Sequence, residues 1–338
     1  MKPARFRELT SRYRNLRIAV VGDFCLDRYL EIDPKLQELS IETGLPVHNV
    51  VNVRSQPGAA GTVLNNLVAL GAGTIYPIGF CGEDGEGFEL QSALGRLPGV
   101  KLDHFVTSSR VRTFTYTKPL LITKGQPPQE LNRLDMKNHK ATPPPLRKAI
   151  CGALRALSGS VDAIIVLDQV TAPETGVVTR EVLTLLGRMA KERESLIVGD
   201  SRKGLRHFPS MIYKMNAMEL GAFLGQEATP KDDDVALAAL KIARKTRHPV
   251  FVTRAERGIM SVSPQGEISQ IPSIPLRGPI DIVGAGDSVT ANLTMAMAAG
   301  GSLGESIELA NVAASIVIHQ LGTTGTASVR QISQLLSK

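Results

Sequence analysis

Asp281-Ile-Val-Gly-Ala-Gly-Asp287-Ser-Val289 is the stretch of this sequence that says most about fold and chemistry. Its small residues, Gly284 to Gly286, precede a long apolar segment that predicts a helix from about 285 to 299. Backbone N–H groups at a helix start can surround an anion, and small residues let a phosphate approach them. A carboxylate in the first turn, at Asp287, can take a proton from a hydroxyl that attacks phosphorus. The alternative is a glycine-rich turn in which Asp287 only stabilises the helix by its charge.

Upstream of this stretch, short apolar strands alternate with helical segments. The runs at 17–22 and 163–167 are typical of buried strands, and 146–157 has helical periodicity. This alternation predicts an α/β fold with a doubly wound, mostly parallel sheet and helices on both faces. Ligands bind at the carboxyl ends of strands in such sheets. Asp23 and Asp27, which follow the first strand, are therefore candidates to bind hydroxyl groups, with turn or capping aspartates as the alternative.

Two regions interrupt the alternation, at 28–56 and 106–135. Both are rich in β-branched and turn residues and lack helical periodicity. They predict a small β lid added to the main sheet. The 338 residues, of which 43% are hydrophobic and 21% charged, suit one such domain over 1–338.

Composition excludes several classes of protein. No apolar run approaches the roughly 18–20 residues that span a bilayer, and the basic N-terminus has no apolar core of a secretion signal. Three cysteines are too few for a disulfide framework, so we expect a cytoplasmic protein without a membrane partner. The net charge is +7, but aromatic residues are only 4% and basic residues are dispersed, which argues against nucleic acid.

Several ordered motifs resemble the ribokinase-like, or PfkB, family of ATP-dependent carbohydrate kinases. The glycine-rich stretch at 281–289 is similar to the family's D-[TVI]-x-G-A-G-D signature. Further similar segments are GFCGEDGEG at 79–87, NAME at 216–219, VTRAERG at 252–258 and LANVAA at 309–314. Within the family, GDFCLDRYL, LSIETGLPV, RSQPGAAGTVLNNLVALGA and PQELNRLDM resemble the kinase domain of bacterial heptose-7-phosphate kinases. The H-x-G-H motif of the companion nucleotidyltransferase domain is missing, so we expect a chain with the kinase domain alone.

The resemblance implies a kinase that uses ATP and Mg²⁺ to phosphorylate a hydroxyl of a sugar or sugar phosphate. An acceptor similar to heptose 7-phosphate is favoured. The implied site residues are Asp287 as general base; the backbone of Gly284, Ala285 and Gly286 as anion hole; Asn216 and Glu219 for Mg²⁺, through water, and the ATP phosphates; Thr253, Gly258 and Asn311 for the nucleotide; Asp23, Asp27, Gly58 and Arg133 for the sugar; and Asp281 for a monovalent cation such as K⁺. It also implies a homodimer formed through the lid.

The departures from the family pattern cluster on the sugar side. Ala59 replaces a glycine, Thr62 an asparagine, and Gln169 the tyrosine of a D-Y-x-K-G segment, while Leu120 stands where a basic residue is expected. On the nucleotide side, Ala255 replaces a frequent glycine, a mild change unless the position needs a positive φ. These departures leave open a kinase for another sugar or a nucleoside, or a noncatalytic sugar- or nucleotide-binding protein on the same scaffold.

Overall fold

The computed structural model describes residues 1–192, 195–226 and 232–337, which form helices on both sides of a large sheet. The helices are α1 Pro3–Arg12, α2 Ala60–Ala69, α3 Gly85–Gly95, α4 Pro144–Leu157, α5 Arg180–Glu192, α6 Ala217–Phe223, α7 Asp232–Thr246, α8 Ala285–Ala298, α9 Leu303–Val317 and α10 Val329–Leu336. Short 3₁₀ turns lie at Tyr13–Asn15, Pro34–Leu36, Leu102–His104 and Ala255–Arg257.

The strands divide between a nine-stranded sheet, a five-stranded sheet and one small hairpin. They are β1 Arg17–Gly22, β2 Phe24–Ile32, β3 Glu38–Leu39, β4 Pro46–Val47, β5 Val50–Ala59, β6 Thr74–Gly82, β7 Phe105–Ser108, β8 Phe114–Leu121, β9 Gln129–Glu130, β10 Leu134–Met136, β11 Ala163–Asp168, β12 Leu196–Ser201, β13 Ile212–Asn216, β14 Val250–Thr253, β15 Ile259–Val262 and β16 Ile268–Ile271. The nine-stranded sheet has the order β16-β15-β14-β13-β12-β11-β1-β6-β7.

The large sheet is parallel from β7 to β14, and the hairpin β15–β16 adds two antiparallel strands at one edge. In β1 the run Ile18 to Val21 is completely buried, because parallel strands covered on both faces are apolar throughout. Ala19 and Val21 pack into the cluster of α4, α5 and α7, whereas Ile18 and Val20 pack with α1, α2, α8 and α9. The doubly wound α/β prediction is therefore confirmed.

The second sheet has the order β10-β8-β2-β5, and β9 pairs with the far end of β8. Both β-rich regions supply strands to it, but with shifted bounds. β2 begins at Phe24, before the predicted start at 28, and β5 continues to Ala59. The prediction for 106–108 is wrong, because those residues belong to β7, which pairs in parallel with β6 of the large sheet.

Some elements escaped the sequence pattern. β13 contains Lys214 and Asn216, whose polar side chains hide a buried strand between β12 and β14. Within the described ranges, no helix has both the length and the apolar character needed to cross a membrane.

Candidate active site

The functional side chains gather where the parallel strands end. β1, β11, β12, β13 and β14 all run in the same direction and finish at one edge of the large sheet. The residues at these ends are Gly22, Asp168, Ser201, Asn216 and Thr253. The second sheet starts at the same edge, because β2 follows β1 after the single residue Asp23. This edge is therefore where a ligand of such a fold would bind.

The turn before α8 presents free backbone amides. Gly284, the N-cap residue, has φ 82°, a left-handed conformation that favours glycine. The N–H of Ala285 donates to the carbonyl of Ile282 at 3.2 Å, whereas the amides of Gly286 and Asp287 have no acceptor among the described residues. Unpaired amides at a helix start attract anions, an effect that the helix dipole reinforces. The Gly284 amide likewise has no acceptor among the described residues, so of the predicted set only the Ala285 amide is engaged in the turn.

Asp287 lies in the first turn of α8, and the pKa of its carboxyl group is raised. Burial raises the pKa of Asp287 to about 7, and the neighbouring Asp200 carboxylate pushes in the same direction, whereas Lys214 opposes it. A carboxylate with this pKa can accept a proton near neutral pH and still be ionised often enough to act as a base. The site therefore holds a general-base candidate beside an anion-binding turn.

Below this turn, two neighbouring strands place a buried ion pair. Lys214 of β13 lies 2.8 Å from Oδ2 of Asp200 of β12. The Thr290 hydroxyl of α8 lies 2.8 Å from the same carboxylate oxygen. The sequence analysis missed all three residues, since only the pairing of β12 with β13 and the position of α8 bring them together. An apolar strand interrupted by a lysine was the one available signal.

Asp27, which the sequence predicts to bind the sugar, is a second buried carboxylate in this region. It is buried, and its carboxylate has no hydrogen-bond donor among the described residues. Burial raises the pKa of Asp27, while Lys118 and Arg133 oppose that shift. Gly58 packs directly on it, because a Cβ at Gly58 would lie 2.4 Å from Oδ2 of Asp27. The electrostatic effect of Asp27 on Asp287 shows that the two carboxylates share one region.

Asp23 is not available to a ligand, so the prediction that it binds a sugar hydroxyl is wrong. Its Oδ2 accepts the backbone amides of Gln169 and Val170, each at 2.9 Å, and its Oδ1 accepts that of Val177 at 2.7 Å. The side chain joins the end of β1 to the loop that follows β11. The turn role, weighed as the alternative, matches this geometry.

The second sheet turns a basic and aromatic face towards Asp27. Arg133 lies 5.3 Å over the ring of Tyr116 and makes a bidentate ion pair with Asp135 at 2.7 and 2.8 Å. Lys118 lies 5.0 Å over the ring of Tyr29, and no carboxylate in the described chain is within ion-pair distance of it.

Strand periodicity relates Lys118 to Leu120, which stands where the family pattern has a basic residue. Lys118 and Leu120 alternate onto the same face of β8, where Lys118 pairs in register with Tyr29. A cation is therefore present two residues before the buried Leu120. The sequence analysis missed Lys118, although its spacing from Leu120 would have indicated it.

Asn216 and Glu219 form a capping box at the start of α6. The Asn216 side chain accepts the Glu219 amide at 2.8 Å, and the Glu219 carboxylate accepts the Asn216 amide at 2.7 Å. The other carboxylate oxygen of Glu219 has no hydrogen-bond donor among the described residues. No group of three or more His, Cys, Asp and Glu side chains in the described ranges could hold a metal ion. This sparse oxygen set fits Mg²⁺ held through water and phosphate rather than in a protein cage.

Two of the three residues predicted for the nucleotide, Gly258 and Asn311, lie against the end of the edge strand β16. Gly258 has φ 78°, and a Cβ there would lie 2.0 Å from the carbonyl oxygen of Ile271. Asn311 of α9 donates to the carbonyl of Pro272 at 2.9 Å. Thr253 ends β14. Gly258 and Asn311 thus contact one short segment at 271–272.

Ala255, in the turn between Thr253 and Gly258, has φ 50°. Its replacement of glycine is therefore not mild, because a side chain is strained in this conformation.

Asp281 closes the loop before the anion-binding turn. Its Oδ1 accepts the Val283 amide at 3.0 Å, and its Oδ2 accepts the Gly322 amide at 3.4 Å. The Asp281 amide donates to the carbonyl of Ile318 at 2.8 Å. The side chain is thus a bridge between two loops, and its oxygens retain lone pairs for a cation.

Comparison with known sequences identifies the family of this chain. Residues 16–330 match the family model described as pfkB family carbohydrate kinase. The chain is 31% identical over 310 residues to the bifunctional protein HldE of Azorhizobium caulinodans, covering 90% of this chain and 61% of that protein. It is 29% identical over 338 residues to the HldE of Hyphomonas neptunium, covering 99% of this chain and 66% of that protein. The chain thus spans less than two thirds of either relative.

Solved structures with the same fold include two sugar kinases. Phosphofructokinase-2 from Escherichia coli in complex with potassium matches with a TM-score of 0.73 and 19% identity, over 96% of this chain and 99% of that one. Ribokinase from Arabidopsis thaliana, complexed with ribose and ATP, matches with a TM-score of 0.69 and 18% identity, over 96% and 99% of the two chains. At these identities the structural likeness concerns the fold.

Proposed function

The chain belongs to the pfkB family of carbohydrate kinases, and we propose that it transfers the γ-phosphoryl group of ATP to a hydroxyl of a phosphorylated sugar. The observation that supports this reaction best is the start of α8. There the free amides of Gly286 and Asp287 adjoin a carboxylate whose pKa is about 7. Binding alone requires the amides but not a base.

The proposed step is an in-line displacement at phosphorus. The acceptor hydroxyl oxygen forms a bond to the γ-phosphorus, the bond from that phosphorus to the bridging oxygen of ADP breaks, and the hydroxyl proton passes to Asp287. The amides of Gly286 and Asp287 stabilise the negative charge on the transferring group. The Asp27 carboxylate, which receives no hydrogen bond from the described residues, orients the acceptor by accepting a hydrogen bond from a second hydroxyl of the sugar.

The nucleotide lies between the α8 turn and the segment near Gly258 in this proposal. Thr253, Gly258 and Asn311 line the base and ribose end, and Asn216 and Glu219 face the phosphates. Mg²⁺, when bound, neutralises phosphate charge, and the open Glu219 oxygen accepts hydrogen bonds from its water shell. Asp281 is the proposed ligand for a monovalent cation, because it bridges the loops beside the anion-binding turn.

The basic face of the second sheet supports a phosphorylated acceptor. Lys118 has no carboxylate partner in the described chain, and its charge acts on Asp27. A phosphate on the sugar would satisfy that cation, and Arg133 lies on the same face. Resemblance to heptose-7-phosphate kinases favours a heptose phosphate. In this proposal the second sheet closes over the acceptor as a lid and excludes water.

A homodimer through the second sheet is the proposed assembly, in the cytoplasm. The sheet exposes apolar side chains on the face away from the site, including Val51 at 55% and Val53 at 48% of their surface. Ile41, in the small hairpin β3–β4, is 99% exposed. A second copy would bury these side chains and thereby stabilise the lid.

The direct test is ADP release from ATP and Mg²⁺ with a panel of acceptors. The panel contains heptose 7-phosphate, hexose phosphates, free pentoses, free hexoses and nucleosides. We expect turnover on a phosphorylated sugar, and Lys118→Met should raise KM for that acceptor about tenfold because a charged hydrogen bond is lost. Its effect on an unphosphorylated sugar should be small. No turnover on any acceptor, with sugar or nucleotide still bound, would instead support a noncatalytic binding protein.

A further inference from the structure

The ion pair between Lys214 and Asp200 is buried below the start of α8. Lys214 is 6% and Asp200 5% exposed, and Nζ lies 2.8 Å from Oδ2. Burial disfavours the charge of Lys214, yet Asp200 raises the pKa of Lys214 above the ordinary value, so Lys214 keeps its charge. Taking two charges out of water costs free energy that a well-packed apolar pair would avoid. Stability alone therefore does not explain this pair.

The pair contacts the catalytic turn on two sides. The Thr290 hydroxyl lies 2.8 Å from Asp200 Oδ2 and 3.1 Å from the carbonyl oxygen of Gly286. A Cβ at Gly286 would lie 3.1 Å from Nζ of Lys214, so the ammonium packs against the backbone of the anion hole. The network thus joins β12, β13 and the first turn of α8.

The charged groups that face Asp287 come from three directions. Asp200 and Arg202 belong to β12 and the turn after it, Lys214 to β13, and Asp27 to β2. Asp200 and Asp27 favour the protonated carboxyl, whereas Lys214 and Arg202 favour the carboxylate. The buried pair supplies one charge of each sign, and neither is exposed to screening by salt.

We propose that Lys214 and Asp200 are positioning residues that set the proton affinity of Asp287 by opposing charges, while Thr290 holds the first turn of α8 against them. The inference rests on the proposed role of Asp287 as base. The proposal gives the pair an electrostatic function. Lys214 favours the ionised form of Asp287, and Asp200 keeps the Asp287 carboxylate basic enough to accept a proton. A purely structural pair would leave the titration of Asp287 unchanged.

Single substitutions should move that titration in opposite directions. Lys214→Met removes the positive charge and should shift the acidic limb of the kcat/KM profile upward by about one pH unit. Asp200→Asn removes the negative charge and should shift the limb downward by a similar amount. The double variant Asp200→Asn/Lys214→Met leaves no unpaired buried charge and should fall between the two. Lys241→Met, on the exposed face of α7, is the matched control and should not move the limb.

A second measurement keeps the proposal separate from the kinase assignment. The protein is labelled with [γ-¹³C]aspartate, Asp287 is assigned from the signal missing in Asp287→Asn, and its carboxyl is titrated in each variant without substrate. Opposite shifts in the two single variants support the proposal even if no acceptor is turned over. Shifts of the same sign, or no shift, in variants that unfold cooperatively would overturn it. Should one single variant fail to fold, the double variant is compared with wild type and with the surviving single variant, because removing both charges leaves the net charge of the pair unchanged. A shift in the double variant larger than that in the surviving single variant contradicts the electrostatic account.

Discussion

Two helices that pack on each other, α2 and α8, both begin after a residue with positive φ, but the two residues differ. α8 follows Gly284 at φ 82°, whereas α2 follows Ala59 at φ 52° and ψ −116°. The left-handed region suits glycine, and an alanine there is strained. The turn at the proposed anion hole therefore has the residue that its backbone prefers, whereas the turn at the proposed acceptor site holds a strained alanine.

The nucleotide side shows the same contrast within one short turn. Gly258 keeps glycine where a Cβ would collide with the Ile271 carbonyl, whereas Ala255 occupies φ 50° with a side chain. A side chain is thus present at a strained position, and absent where a backbone collision would follow. The following predictions test the contrast between the phosphoryl-transfer side and the acceptor side, from the largest expected effect to the smallest.

Asp287→Asn should reduce kcat by about 10²–10⁴-fold, because general-base catalysis contributes that much and the amide cannot accept the proton. ATP affinity, measured by calorimetry, should change little. The exposed Asp103→Asn, at a distance from α8, serves as control and should leave kcat as in wild type. Equal turnover in Asp287→Asn would remove the base from the mechanism.

The pH profile should reflect the same carboxyl. Since burial raises the pKa of Asp287 to about 7, the base is protonated below that pH. kcat/KM should therefore fall as pH decreases through 7, by roughly tenfold for each further unit, and stay flat above it. Initial rates between pH 5 and 9 measure this. A limb near pH 4 would mean that Asp287 has an unperturbed carboxyl in solution.

Gly58→Ala tests the acceptor side. The new Cβ would lie 2.4 Å from Oδ2 of Asp27 and 2.8 Å from Sγ of Cys25, so the carboxylate must move. Overpacking of this kind costs about 1–3 kcal/mol, which predicts a rise of about tenfold or more in KM for the acceptor and little change in KM for ATP. Gly152→Ala, in α4 where a Cβ meets nothing within 4 Å, is the matched control. Unchanged acceptor KM in Gly58→Ala would separate Asp27 from substrate binding.

Ala59→Gly should have the smallest effect and the opposite sign on stability. Relief of the strain at φ 52° outweighs the added chain entropy of glycine, so the free energy of unfolding should rise by about 1 kcal/mol. The neighbouring Ala60→Gly, inside α2, should lower it. Chemical denaturation measures both. A loss of stability in Ala59→Gly would show that the methyl group makes contacts worth more than the strain.

Sequence patterns predicted the parts of the molecule that depend on local order. The alternation of strands and helices predicted the doubly wound sheet, and the glycine-rich segment located the start of α8 with Asp287 in its first turn. Asp23 was misjudged because its role depends on three amides from a loop over 140 residues away in sequence. Lys214 and Asp200 were missed because only strand pairing unites them. The strain at Ala59 and Ala255 depends on backbone angles, which residue types do not specify.

The most direct test of the central claim is ³¹P NMR of the protein with ATP, Mg²⁺ and the best phosphorylated acceptor. The account predicts that the γ-phosphate signal of ATP disappears as a new phosphate-ester signal appears in equal amount with ADP, and that neither change occurs with Asp287→Asn. An unchanged ATP signal in the presence of bound acceptor, or release of inorganic phosphate without a new ester, would contradict the assignment of this site to sugar phosphorylation.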